Sequence, residues 1–235
     1  MQGGGLLYDG LLMVLCYVYV LLMISVSERL GRAINAPAKA ARKFLHAFIG
    51  NLTFVIPFFE WRLAPFLVAA PFIAVTFLAS PHSPFRDLRR RLRRLSDLTE
   101  EGHDLGLILY SVSYALLALL FAPKPIMMAA GVLPMAYGDS AAALVGKRYG
   151  RRQGLSSGKS LEGSLAMFSA SFLSIAVSLV FFSFFYPFRA FEKIIHATAV
   201  AIIVTLVEYL SPKGFDNLTV PLLGAATFLI VDGWL

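Results

Sequence analysis

Long apolar blocks separated by short polar connectors run through the whole chain. Each block is about 17 to 25 residues long, the length an α-helix needs to cross the hydrocarbon core of a bilayer. The blocks fall at about 6–26, 44–59, 61–79, 105–121, 125–145, 161–185, 193–210 and 217–234. They predict an all-α, polytopic integral membrane protein with about eight transmembrane helices, built as one transmembrane domain over residues 1–235. Glu60, Trp61 and Arg62 mark the join between the second and third blocks, and Pro57 and Pro65 interrupt the two. That pattern predicts a tight helical hairpin or a partly re-entrant element, and so seven or eight spans. The first block has no Lys or Arg before it and no small-residue cleavage site after it, which predicts a retained span instead of a signal peptide.

Composition supports this pattern: 58% of the 235 residues are hydrophobic and 15% are charged, too apolar for a soluble domain of this size. The net charge of +7 would point to nucleic acid in a soluble protein, but here the charge is distributed by connector. The odd-numbered connectors carry 17 of the 21 Lys and Arg residues and the even-numbered ones carry 4. Such alternation puts the odd connectors in the cytoplasm and both termini outside. No nucleic-acid-binding motif accompanies the charge, so the expected partner is the lipid bilayer, with no nucleic acid. The connector at 80–104 sets Phe85, Leu88, Leu92, Leu95 and Leu98 at helical spacing among Arg86, Arg89, Arg90, Arg91, Arg93 and Arg94. It predicts a basic amphipathic cytoplasmic helix on an anionic leaflet, or else a strong topology determinant alone. The single Cys16 lies inside the first block, which leaves neither a disulfide framework nor a cysteine metal site.

An ionised carboxylate in hydrocarbon costs at least about 2.5 kcal/mol, so each one asks for a partner or a purpose. Asp139 lies in the fifth block among Gly138, Ser140, Ala141, Ala142, Ala143 and Gly146, with Ala143 and Gly146 on its own helix face. A small face admits a ligand or a neighbouring helix to the carboxylate. The connector at 146–160 is rich in Gly, Lys and Arg, but its Gly154–Ser160 stretch is one residue short of the Walker spacing and follows no strand. Lys147 lies in it, and Lys159 and Ser160 open the next helix, where free N–H groups and the helix dipole favour a phosphate. Glu162 shares that first turn with Lys159. Glu208 closes the seventh block, and Asp216 and Asn217 open the eighth, on the same side as Asp139 and Glu162. Asp139, Glu162, Glu208 and Asp216 with an amide, and no Cys or His cluster, describe a hard-cation site suited to Mg²⁺. Arg42 and Lys43 enter the second block from that side. His46, one turn after Arg42, is either an interface residue or part of the same pocket. Asp9, Glu60, Glu192 and Asp232 lie toward the opposite side.

These residues, in this order, resemble the polyprenol kinase family that includes dolichol kinase and phytol kinase. The stretches that carry the resemblance are Arg42 to His46, Gly138-Asp-Ser-Ala-Ala-Ala-Leu-Val-Gly-Lys-Arg-Tyr-Gly150, Lys159-Ser-Leu-Glu-Gly-Ser-Leu-Ala-Met-Phe168, and Glu208 with Asp216-Asn-Leu-Thr-Val-Pro221. The family is more distantly similar to the phosphatidate cytidylyltransferases. What the resemblance implies is CTP-dependent transfer of the γ-phosphoryl group to the hydroxyl of a membrane isoprenoid alcohol of the dolichol, phytol or geranylgeraniol type. Asp139, Glu162, Glu208 and Asp216 would then hold one or two Mg²⁺ on the CTP phosphates, with Asn217 assisting. Lys159, Arg42 and Lys43 would neutralise the transferring group, with Lys147 and Ser160 on the nucleotide. His46 or Asp216 would take the hydroxyl proton.

Two rivals remain at this stage. A cytidylyltransferase would join CMP to a lipid phosphate, and a transporter would use the acids as a cation path, although they gather at one face instead of spacing through the bilayer. The compact length and the absence of an evident transit peptide point to a prokaryotic plasma membrane with the active site cytoplasmic. The acceptor alcohol and the oligomeric state stay open, a homo-oligomer included.

Overall fold

The computed structural model describes residues 3–33, 38–92, 95, 105–151, 159–212 and 214–234. The chain is helical, and no β-strand occurs among the described residues. Helix α1 (Gly3–Ala33) is followed by α2 (Ala38–Gly50), which continues in tighter 3₁₀ turns over Asn51–Phe58. Then come α3 (Ala64–Ala69), α4 (Pro71–Ala79), α5 (Arg86–Arg91), α6 (Gly106–Phe121) and α7 (Pro125–Leu133). A wide π turn over Pro134–Gly138 leads into α8 (Asp139–Tyr149). The chain closes with α9 (Leu161–Ser183), a short 3₁₀ turn, α10 (Ile194–Leu210) and α11 (Asp216–Trp234).

Among the described residues, four stretches are long and apolar enough to cross a membrane: Gly5–Ala33, Pro125–Tyr149, Leu161–Ser183 and Ala190–Leu210. The apolar helices Ala64–Ala79 and Gly106–Phe121 are shorter. Sixteen residues rise only about 24 Å, against a hydrocarbon core of about 30 Å. The stretch Pro125–Tyr149 is central, with 67% of its apolar window buried against 17% for α1. Large apolar side chains on α1, α9 and α10, such as Leu11, Leu15, Leu173, Val177, Leu206 and Leu210, are exposed and form the surface expected to face lipid.

Small residues and prolines explain the close crossings. A Cβ on Gly224 would lie 2.5 Å from the Ala130 carbonyl oxygen and 3.3 Å from the Cα of Gly131, so α7 and α11 meet backbone to backbone where only glycine fits. Each proline frees the carbonyl four residues earlier. Pro221 frees that of Asn217, and Ser113 Oγ donates to it at 2.9 Å. Pro134 opens the π turn, in which the Asp139 N–H reaches back five residues to the Pro134 carbonyl.

The second and third blocks fold as two helical legs joined by a short turn, set apart where a tight hairpin would pack them together. One leg is α2 with its 3₁₀ extension, and the other is α3 with α4. The legs make little direct contact among the described residues, and α1 packs against α2 and α3 while α6 packs against α3 and α4. Asp9 on α1 clamps the turn by accepting the N–H groups of Glu60 at 3.0 Å and Trp61 at 2.6 Å. This gives the buried Asp9 a structural partner away from the acids of the opposite side. In the basic connector, α5 covers Arg86–Arg91, and Leu92 and the buried Leu95 pack against Ala41, Leu45, Ala79 and Leu107. Arg93, Arg94 and Leu98 lie outside the described residues, as do positions 152–158 of the second basic connector.

Candidate active site

Three helix ends bring three carboxylates together. Asp139 is the first residue of α8 after the π turn, Glu208 lies in the last turn of α10, and Asp216 is the first residue of α11. All three are buried, and one oxygen from each lies within 4.8 Å of the others. The turn between Glu208 and Asp216 is shaped by Gly214, whose φ of 86° is a left-handed conformation that glycine adopts without strain. Ser211 Oγ and Thr219 Oγ1, 2.7 Å apart, tie its two sides together.

Two lysines neutralise part of this charge. Lys43 on α2, itself buried, forms an ion pair with Asp139 Oδ2. Lys159, just before α9, places its ammonium 2.9 Å from Glu208 Oε1 and also donates to the Glu208 carbonyl. Ser140 Oγ donates to the Lys43 carbonyl at 3.1 Å and holds α2 against α8. Arg42 is buried with its guanidinium against the start of α6. A Cβ on Gly106 would lie 3.5 Å from Arg42 Nη1 and 3.3 Å from Asn217 Nδ2, so glycine there lets both groups come close.

Asn217 is buried beside the trio. Its side-chain N–H groups donate to the Gly214 carbonyl at 3.1 Å and to Asp216 Oδ1 at 2.9 Å, and Asp216 Oδ1 also accepts the Asn217 backbone N–H. Asn217 Oδ1 has no hydrogen-bond partner. An unsatisfied buried acceptor next to three carboxylates is the donor set that a hard cation takes.

His46, one turn beyond Lys43, is also buried. Its ring stacks on Tyr110 at 4.2 Å between centroids, and neither ring nitrogen has a hydrogen-bond partner. Ser160 caps α9 by accepting the Gly163 N–H at 3.1 Å. Two expected residues stand apart from the trio. Glu162 is half-buried one residue inside α9, where its Oε2 accepts the Arg151 N–H at 3.3 Å, and Lys147 is exposed on α8. His196 is buried with Nε2 3.5 Å from Asp232, away from the trio.

The sequence pattern did not single out Gly106, Tyr110 and Ser113, which hold Arg42, His46 and Asn217 from the α6 side. Their spacing of four and three residues marks one small and polar helix face within an apolar block, and that was the available signal.

The comparisons with known proteins point to one family. The chain is 37% identical to a phytol kinase of Synechocystis sp. over 213 residues, which covers 88% of this chain and 86% of that protein. It is 29% identical to the dolichol kinase of Saccharomyces cerevisiae over 171 residues, covering 68% of this chain but only 31% of that longer protein. No family profile and no solved structure matches the chain. With an extended match to one kinase and a partial match to another, the chain belongs to the polyprenol kinase family.

Proposed function

We propose that this protein is a CTP-dependent kinase that transfers the γ-phosphoryl group to the hydroxyl of a membrane isoprenoid alcohol of the phytol, geranylgeraniol or dolichol type. The observation that carries the proposal is the buried trio Asp139, Glu208 and Asp216 with Lys43 and Lys159 as its counter-ions. Phosphoryl transfer needs little covalent help from the protein and much positioning and charge neutralisation. A triphosphate adds more negative charge than these cations can balance while they remain paired with carboxylates. The oxygen donors fit Mg²⁺: Asp139, Glu208 and Asp216 with Asn217 Oδ1 would hold it, and it would supply positive charge to the triphosphate.

Lys43 and Lys159, beside the carboxylates they now neutralise, would with Arg42 stabilise charge on the transferring group. Ser160 and the first turn of α9 offer N–H groups to a phosphate, and Lys147 at the rim serves the nucleotide end. Glu162 holds the Arg151 N–H at the end of α8. Of the two candidates for the hydroxyl proton, Asp216 is engaged by Asn217, whereas His46 has both ring nitrogens free of hydrogen bonds, which favours His46.

The site lies on the side of the basic connectors, which the positive-inside rule makes cytoplasmic in an eight-span arrangement. In that arrangement the 13 residues of α2 and the 8 of its 3₁₀ extension rise about 35 Å together, while the short stretches 64–79 and 106–121 cross a locally thinned layer.

The test is transfer from CTP carrying distinguishable labels at the α and γ phosphorus to an isoprenoid alcohol by the purified protein. The γ label in the lipid supports the proposal. The α label in a lipid product, with pyrophosphate released, makes the protein a cytidylyltransferase instead.

A further inference from the structure

We propose that α5 is an interfacial helix that binds anionic phospholipid, laying its apolar side chains into the leaflet on the active-site side and setting its arginines among the lipid phosphates. Such a surface would exist whether or not the protein transfers phosphate.

The turn into α5 is fixed by hydrogen bonds. Helix α4 ends at Ala79, and the buried Ser80 closes it, donating from Oγ to the Phe77 carbonyl at 2.7 Å and accepting the His82 N–H at 3.2 Å. Ser83 Oγ then accepts the Phe85 N–H at 3.2 Å just ahead of the helix. Pro81 and Pro84 keep this stretch from continuing α4. Phe77, in the last turn of α4, is exposed, so the lipid-facing surface reaches as far as this turn.

Along α5 a single apolar stripe runs from the core out to the surface. At about 100° per residue, Phe85, Leu88 and Leu92 fall within about 60° of one another around the helix axis. Leu95, beyond them, is 5% exposed and Leu92 is half-buried, and both pack against Ala41, Leu45, Ala79 and Leu107. Leu88 is 37% exposed and Phe85 is 60% exposed. The protein therefore leaves the outer half of the stripe uncovered.

The charges say what covers it. Helix α5 reads Arg-Asp-Leu-Arg-Arg-Arg over Arg86–Arg91, four arginines against one aspartate. Arg89 and Arg91 flank the stripe on its two sides, and Arg86, Asp87 and Arg90 occupy the opposite face. Arg86, Arg90 and Arg91 are exposed, and Asp87 lies 3.9 Å from Arg90 in a pair open to solvent. This order of groups matches the headgroup layer. The apolar side chains reach the acyl boundary, the arginine stems run up to the phosphates, and Asp87 faces water. An acidic protein would match the charge, but α5 packs against α4 and its stripe opens beside the lipid-facing end of that helix, where a leaflet is already present. Leu92 and Leu95 bear on Ala41 and Leu45, which bracket Arg42 and Lys43 on α2. Lipid contact at one end of α5 thus seats its other end against the element that carries cations of the site.

The experiment places the purified protein in nanodiscs of phosphatidylcholine, alone or with phosphatidylglycerol as about a third of the lipid. In a Cys16→Ala background, Leu88→Cys or Asp87→Cys carries the fluorophore NBD, and reduction by aqueous dithionite reports how far each position is exposed to water. With phosphatidylglycerol, the label at position 88 should react at least tenfold more slowly than the label at position 87. Each arginine at an anionic surface contributes on the order of fivefold in binding. At least fivefold of the protection should therefore vanish in phosphatidylcholine alone and in Arg86→Gln/Arg90→Gln/Arg91→Gln. Arg86→Lys/Arg90→Lys/Arg91→Lys, which keeps the charge, should retain it. NaCl at about 1 M should act like the removal of phosphatidylglycerol, and this arm leaves every arginine in place. Equal reaction at positions 87 and 88 with phosphatidylglycerol would overturn the proposal. Protection as strong in phosphatidylcholine as in phosphatidylglycerol would overturn it too, leaving the arginines as a topology determinant alone.

Discussion

Replacing Lys43 by Met tests the electrostatics of the site without relying on catalysis. Lys43 and Asp139 are each 4% exposed and paired, and Met keeps most of the apolar stem while removing the ammonium. Breaking a buried ion pair by removing one partner costs about 3–5 kcal/mol, because the other charge is left uncompensated. For a chain of this size 1 kcal/mol moves Tm by about 2–4 °C, so Lys43→Met should lower Tm by about 6–20 °C. The double variant Lys43→Met/Asp139→Asn removes both charges and should recover most of that loss, since neutralising both partners of a buried pair is often nearly neutral. A dication at the trio would replace the missing ammonium, so Mg²⁺ should raise the Tm of Lys43→Met more than that of the wild type. Saturation at about 100 times Kd corresponds to about 2.7 kcal/mol. The assay is thermal unfolding of the purified proteins in detergent micelles, followed by circular dichroism with and without Mg²⁺. Additive losses in the double variant, or a Lys43→Met protein as stable as the wild type, would refute the reasoning.

Two further substitutions separate chemistry from packing. His46→Gln keeps a polar side chain of similar reach but removes the base, and it should lower kcat by about 10²–10⁴ with little change in KM for CTP. An unchanged kcat would move proton acceptance to Asp216. Gly224→Val forces a side chain against the Ala130 carbonyl and Val204 Cγ1 and should cost about 1–3 kcal/mol, or about 2–12 °C in Tm. Gly10→Val, where a Cβ meets nothing within 4 Å, should leave Tm unchanged, and equal losses in the two variants would contradict the crossing described here.

How much of this was legible beforehand varied with the physics involved. Apolar block length predicted helices because the bilayer demands about 20 residues, and the blocks do fold as helices. Asp139, Glu208 and Asp216 stood out because a carboxylate in hydrocarbon needs a reason, and they are the three that meet. Glu162 carried the same signal but sits near Arg151 instead, since a helical first turn fixes spacing along one helix and says nothing about the neighbouring one. The Lys43–Asp139 pair spans 96 positions, and no local pattern reports a partner at that distance. The open hairpin was also hidden. An apolar side chain such as Leu52 or Val68 looks the same in sequence whether it packs against a neighbour or lines a void, and Pro57 and Pro65 mark an interruption without stating how far the legs diverge. Block lengths likewise did not reveal that the stretches 64–79 and 106–121 stop short of a full bilayer thickness.

The central claim is that Asp139 belongs to a cation–triphosphate site serving an alcohol acceptor. The most direct measurement is phosphorylation of a 20-carbon isoprenoid alcohol from CTP by purified wild type and Asp139→Asn, across a Mg²⁺ titration, with folding checked by circular dichroism. Mg²⁺-dependent turnover is expected of the wild type, with a loss of at least a hundredfold in a folded Asp139→Asn. Near-normal, Mg²⁺-dependent turnover by that variant would contradict it.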